Sequence, residues 1–298
     1  MSSTIGSLLI PTDGSDGAVT GAKVGIAVAS KLGAEVHVIS VVDLPADASE
    51  FDDQGLVSAL ESQARDDVER IATLTREFDD RLEITTTVSQ GTPFQTIREY
   101  AHRREIDAIV MGTKGRTGLD RVLLGSVTEN VLRTAHIPVL AVPPEADVPE
   151  IDEVGFRSLL LPTDGSPGAE IATTWAIALS DRLGATLHTV FSVDTSRYVS
   201  ELDESKIIAA FEDRGERAIE GVQERATDAG INVASSIASG RPASVILEYV
   251  SERDIDLIVM GTHGRTGIGQ WFLGSVTENV VRQADVPVFC VPVSAEEP

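Results

Sequence analysis

Two rhythms alternate along this chain. Short runs rich in apolar and β-branched residues, such as SLLIP (7–11) and EVHVISVV (35–42), give way to longer stretches whose apolar residues return every three or four positions. The first pattern is that of strands buried in a sheet, the second that of amphipathic helices. The spacing predicts a helix over 17–33 that stops at Gly33, and a long polar helix over about 54–78. A strand at 82–89 follows, then a helix opened by Pro93, a strand in DAIVMG (107–112), a helix over 127–135, and a last strand in IPVLAVP (137–143).

The same order then starts again. LLIPTDGSDGA (8–18) returns as LLLPTDGSPGA (159–169), and MGTKGRTGLDRVLLGSVTENV (111–131) returns as MGTHGRTGIGQWFLGSVTENV (260–280). A repeat of domain length means two copies of one domain rather than a solenoid. We place the domains at 1–145 and 156–298, with a linker of about 146–155 inside a proline-rich, acidic stretch. Alternating strands and helices predict an α/β fold: two tandem open five-stranded parallel sheets flanked by helices, a Rossmann-like nucleotide-binding architecture. In such sheets ligands sit beyond the C-terminal strand ends, at the point where strand order reverses. PTDG begins where strand one ends, and the glycine-rich motif begins where strand four ends. Neighbouring first and fourth strands would turn both motifs toward one crevice.

The motif reads Gly112, Gly115, Gly125 and Ser126 in the first copy and Gly261, Gly264, Gly274 and Ser275 in the second, with Gly118 and Gly267 inside the loops. Glycine permits positive φ and close backbone approach, and successive N–H groups in such loops make anion cradles. A helix opening at Ser126 or Ser275 would add unpaired N–H groups and the positive end of its dipole. A simpler reading needs no ligand: Ser126 with Glu129, and Ser275 with Glu278, have the spacing of capping boxes. Asp13 likewise fits an Asx-turn or a helix cap. Asp16 offers an alternative cap, and Pro167 replaces it in the second copy, which would leave more capping to Asp164.

Rival chemistries lack their residues. No lysine follows a glycine, so there is no Walker-type loop; no G-x-G-x-x-G follows either first strand, and no G-x-S-x-G elbow occurs. His37, His102, His136 and His188 read as surface or core residues without metal spacing. His263 occupies the place of Lys114 in the repeated loop, which suits a donor near phosphate better than an indispensable catalytic group.

These residues resemble the universal stress protein family: G-x2-G-x9-G-S after a strand, with PTDGS upstream. The run LLGSVTENV resembles its ATP-binding branch. The resemblance spans nearly the whole chain and implies strand order 3-2-1-4-5. It implies that Asp13 and Asp164 accept hydrogen bonds from the adenosine end of ATP. Pro11, Thr12 and Gly14, with Pro162, Thr163 and Gly165, would shape that wall. Val41 would meet the adenine edge through its backbone; its counterpart, Ser192, departs from the pattern. The motif glycines would wrap ribose and phosphates. Ser126, Val127 and Thr128, with Ser275, Val276 and Thr277, would hold phosphate oxygens by backbone and hydroxyl groups. Arg116 and Arg265 would be counter-charges, and Mg or Mn would be held mainly by the phosphates. The family's pairing through fifth strands would make the two domains an intrachain pseudo-dimer, with a further homodimer in keeping with it. The implied function is that of an ATP-binding stress-response sensor or regulator rather than an enzyme. A slow ATPase or phosphotransferase, and a scaffold with vestigial pockets, remain as alternatives.

Charge narrows the partners. The chain of 298 residues carries a net charge of -23, with lysine only at positions 23, 31, 114 and 206. Such a field disfavours nucleic acid and anionic lipid. There is neither an apolar run of membrane-spanning length nor a stretch that reads as a secretory signal, and Cys290 is the only cysteine. A cytoplasmic protein is expected. Dispersed acid with little lysine also matches proteins of salt-loving cells. We expect the melting temperature to fall when molar salt is removed, as self-repulsion loses its screening; an unchanged melt would contradict this origin.

Overall fold

Strands and helices alternate within each half of the structure, a computed structural model that describes residues 5–44, 54–115, 124–144, 146, 150–194, 204–264 and 273–298. Two units separate, Ile5–Val154 and Gly155–Pro298. In the first, β1 (Ser7–Pro11), α1 (Asp16–Leu32), β2 (Glu35–Val42), α2 (Gln54–Phe78), β3 (Ile84–Gln90), α3 (Pro93–Arg103), β4 (Ala108–Gly112), α4 (Ser126–Thr134) and β5 (Val139–Val142) follow in order. The second repeats them as β6 (Ser158–Pro162), α5 (Pro167–Leu183), β7 (Thr186–Val193), α6 (Glu204–Asp228), β8 (Val233–Ser239), α7 (Pro242–Glu252), β9 (Leu257–Gly261), α8 (Ser275–Gln283) and β10 (Val288–Val291). Strand β3 starts later than the pattern predicts because Leu82 N–H bonds the Asp79 carbonyl, in the turn that leaves α2.

Each unit is an open parallel sheet, in the order β3-β2-β1-β4-β5 in the first and β8-β7-β6-β9-β10 in the second. Gly33 and Gly184 end α1 and α5 in the left-handed conformation, at φ 69° and 65°. The decisive feature is the β1–β4 pair. Strand β1 runs beside β2 from Ser7 to Pro11, but beside β4 only at Leu8 and Leu9. Strand β6 meets β9 in the same way, only at Leu159 and Leu160. Beyond those residues the neighbours part, and a crevice opens at their C-terminal ends.

The opposite end is fastened. Asp107 Oδ2 accepts from Gly6 N–H at 2.8 Å, Ser7 N–H at 2.9 Å and the Ser7 hydroxyl at 3.0 Å. Asp256 does the same for Arg157 N–H at 2.7 Å and Ser158 N–H at 2.9 Å. A short ladder is thus closed below and open above.

Two histidines sit in the helix–sheet layer of their units. His37 Nδ1 lies 2.9 Å from the Tyr100 hydroxyl, and His188 Nδ1 lies 3.1 Å from that of Tyr249. Burial, with the Arg253 charge behind it, holds His188 below the ordinary imidazole range and favours its neutral form. Cys290 is fully buried, which pushes its thiol up to about 12 and keeps it unreactive.

Replacing Asp107 by alanine strands these donors without an acceptor. We expect a loss of about 1–3 kcal/mol, read by urea denaturation, with Asp107→Asn recovering part of it. A loss below experimental error would show that the fastening contributes nothing.

Candidate functional site

The wall on the β1 side is built from a self-bonded turn. Thr12 N–H bonds the Ile39 carbonyl at 2.8 Å and prolongs the sheet. Thr12 Oγ1 then accepts from Gly14 N–H at 3.2 Å, and Gly14 takes φ +77°, which favours glycine. Asp13 Oδ1 accepts from Ser15 N–H at 3.1 Å and from the Ser15 hydroxyl at 2.6 Å. Ser15 in turn caps α1, its oxygen accepting from Ala18 N–H. The second unit repeats the turn: Asp164 Oδ1 accepts from Ser166 N–H at 3.0 Å, and Ser166 caps α5.

This corrects the capping expectation. Neither Asp13, Asp16 nor Asp164 is the cap. Serine caps both helices, and each aspartate orients its serine through an Asx-turn. Pro167 costs nothing, because it sits inside the first turn, where an N–H is not needed.

Opposite stands the glycine loop. Its ends are clamped, Gly125 N–H to the Thr113 carbonyl at 2.7 Å and Thr113 N–H to the Val142 carbonyl at 2.8 Å. The second loop has the same clamps, Gly274 to Thr262 and Thr262 to Val291, both at 2.8 Å. A Cβ on Gly112 would strike the Gly17 carbonyl, and one on Gly17 would strike that of Lys114. Gly261, Gly168 and His263 stand in the same relation. Helix α1 therefore starts with its backbone against the backbone of the loop. Gly115 is pinned from the other side: a Cβ there would lie 2.9 Å from Asp13 Oδ2, and one on Gly264 would lie 3.1 Å from Asp164 Oδ2. The repeated glycines are thus first a packing requirement. The same contacts bring loop and carboxylate face to face.

The capping boxes do not form. Gly125 and Gly274 are the N-caps, so Ser126 and Ser275 are the first helical residues. Glu129 pairs instead with Arg133 at 2.8 Å, and Glu278 with Arg282 at 2.9 Å. The Thr128 hydroxyl donates to the Gly112 carbonyl at 2.7 Å and that of Thr277 to Gly261 at 2.8 Å, tying each helix to its strand. Those hydroxyl protons are engaged inside the protein, and the backbone N–H groups of the two threonines lie in the first helical turn. The first-turn N–H groups of residues 126–128 and 275–277 precede the first intrahelical bond, so each helix presents them with its positive dipole end.

In the first unit the two walls enclose a crevice of about 290 Å3. Pro11, Thr12, Asp13, Val41, Gly112, Gly115, Gly125, Ser126, Val127 and Thr128 all line it. Gly14 does not; it makes the turn behind the wall. Arg116 and Arg265, with Gly118 and Gly267, lie outside the described residues. Ile39, Pro93, Ile97 and Met111 also line the crevice, as an apolar floor, and Lys114 stands among the loop residues. Sequence reasoning missed that floor, although Ile39 and Val41 share one strand face by their spacing of two.

In the second unit Pro162, Thr163, Asp164, Gly165, Gly261, Gly264, Gly274, Ser275, Val276 and Thr277 occupy the matching elements. One departure is specific. The Ser192 hydroxyl donates to the Gly240 carbonyl at 2.7 Å, so the polar replacement for Val41 is satisfied internally. His263 Nδ1 lies 2.9 Å from the Thr262 hydroxyl oxygen.

A family model described as the universal stress protein family matches residues 4–143 and 155–292. The chain belongs to this family. A universal stress protein of Methanocaldococcus jannaschii is 40% identical over 142 residues, 45% of this chain and 80% of the relative. One of Mycobacterium tuberculosis is 32% identical over 212 residues, 70% of this chain and 69% of its own. The crystal structure of a universal stress protein from Archaeoglobus fulgidus matches with a TM-score of 0.72 at 23% identity, over 96% of each chain, which supports the tandem fold. As in the fold, so in sequence: universal stress protein domains account for both halves of the chain.

Gly112→Ala should destabilise by about 1–3 kcal/mol, since its methyl meets backbone rather than a yielding side chain. Gly221→Ala, in α6 where a Cβ meets nothing within 4 Å, should be neutral or stabilising by up to about 1 kcal/mol. Urea midpoints for the two variants check this; equal shifts would contradict it.

Proposed function

We propose that each universal stress protein domain of this chain binds an adenine nucleotide, ATP foremost, and that the chain acts as a nucleotide-dependent regulator or sensor in the stress response. One observation carries the reading: in the first unit a single crevice joins an apolar slot, a carboxylate and a helix N-terminus wrapped by glycine backbone. A flat apolar base fits the slot formed by Ile39, Val41, Pro93 and Ile97. A carboxylate beside it suits ribose hydroxyls, which donate to Asp13. Phosphates fit the far end, where Gly115, Gly125 and the N–H groups of Ser126, Val127 and Thr128 converge with Lys114. Backbone donors and Lys114 favour an anion even in a chain of net charge -23.

The second domain repeats the carboxylate, glycines and helix end, and supports a second site whose base-side contacts differ at Ser192. Among the described residues no three His, Cys, Asp or Glu side chains converge. A Mg or Mn ion accompanying the nucleotide would be held mainly by its phosphates. Among the described residues the lining offers Asp13 and Lys114 as its ionisable side chains, and Asp13 Oδ1 already holds Ser15. Binding and release, rather than turnover, is the activity such a lining favours. Among the described residues no helix is long and apolar enough to cross a membrane. A cytoplasmic location and the absence of nucleic-acid partners belong to the same proposal.

Adding ATP with magnesium to nucleotide-free protein should raise its melting temperature. At about 1,000 times the dissociation constant the gain is about 4 kcal/mol. Asp13→Ala and Asp164→Ala should each weaken one site, by about tenfold or more, because a charge-assisted hydrogen bond is lost. No shift with ATP, or a shift that both substitutions leave untouched, would contradict the proposal.

A further inference from the structure

The two units serve as controls for each other, and they differ most sharply where the long second helix faces the PTDG turn. A Cβ on Gly14 would run into the Asp67 carboxylate, whereas one on Gly165 would lie 3.4 Å from the Ala218 methyl. Asp67 and Ala218 are therefore equivalent, and the helix register follows from them. Along the facing stripe, Gln63, Asp66, Asp67, Arg70 and Leu74 of α2 correspond to Arg214, Arg217, Ala218, Gly221 and Arg225 of α6. Two acids and one base in the first unit become three bases and no acid in the second.

The exchange also removes volume. With Ala218 and Gly221 in the stripe, a cavity of about 80 Å3 opens between α5 and α6, with Thr163, Glu170, Thr173, Arg217 and Arg225 in its lining. That is room for several waters. Arg225 is held in place, donating to the Glu170 carbonyl at 3.2 Å and to the Thr174 hydroxyl at 2.5 Å. Arg217 makes no hydrogen bond or ion pair among the described residues. Thr163 is only 7% exposed. Its oxygen accepts from Gly165 N–H, which leaves the hydroxyl proton to donate. Arg214 reaches the same turn, its Nη2 3.5 Å from the Asp164 carbonyl. Glu170 is the one acid in the lining, and its Oε2 lies 3.9 Å from Arg225 Nη1. The lining keeps one positive charge beyond that pair.

We propose that this cavity is a binding site for a free tetrahedral oxyanion of the phosphate or sulfate class, present in the second unit alone. Two guanidinium groups and a buried hydroxyl are the donor set that such an anion takes. The cavity is too small for a nucleotide. It lies on the α6 side of the 163–165 turn, whereas Asp164 Oδ2 faces Gly264 on the crevice side. It therefore stands independently of the nucleotide proposal.

The test is calorimetric titration of inorganic phosphate into the full, nucleotide-free chain, with ionic strength held constant by chloride. A parallel titration contains saturating adenine nucleotide. We expect one saturable phosphate site per chain that persists when saturating nucleotide occupies the crevices. Arg217→Gln, at an exposed position that should not disturb folding, should weaken it about tenfold. Ala218→Asp, which restores the first unit's residue, should abolish it. An isotherm unchanged by Arg217→Gln, or phosphate fully displaced by nucleotide, would overturn the proposal. If nucleotide fails to bind at all, the nucleotide reading falls, and Arg217→Gln against the parent chain still decides the cavity.

Discussion

Each unit is organised around a place where two backbones touch with no side chain between them. The first turn of α1 lies on the exit of β4, Gly17 against Gly112 and Lys114, and Gly168 repeats this with Gly261 and His263. Any larger residue would push the helix off the sheet. With the helix seated, the clamp from Gly125 N–H to the Thr113 carbonyl fixes where α4 opens. The helix end, the glycine backbone and the aspartate of the PTDG turn are consequences of that one close approach.

The approach has electrostatic results. Strands β1 and β4 share only a short ladder, fastened by Asp107 at one end and parted at the other. The parting leaves space beyond the strand ends, with an apolar floor on one side and backbone donors of the glycine loop and helix end on the other. Backbone N–H groups and a helix end attract anions without needing lysine or arginine, which suits a chain so poor in lysine. Where this protein does gather arginines on one helix face, along α6, they front a separate cavity.

Much of this was legible in the sequence because it rests on periodicity and repetition. Buried parallel strands and amphipathic helices differ in spacing, and a domain written twice shows as a repeat. The strand order came with the family resemblance. Less legible was the division of labour among small polar residues. Ser15 and Asp13 both fit a cap by type, and only the φ of Gly14 and the hydroxyl geometry assign the cap to serine. Ser126 and Glu129 have capping-box spacing, yet Gly125 takes the cap: its backbone is extended and its carbonyl accepts from Glu129 N–H. Thr128 is paired inward to a carbonyl 16 positions away, a contact with no local signature. Asp107 and Asp256 look like ordinary turn acids until the strand beside them is known. The apolar floor of the crevice draws on β2, α3 and β4, which only the fold brings together.

We propose that the repeated stretch builds a nucleotide site in each unit. The most direct test is to purify the chain in high salt with no nucleotide added, denature it, and identify and count what is released. Adenine nucleotide approaching two per chain should be released. Protein that releases none, and takes up none when incubated with ATP and magnesium before the same procedure, would contradict it.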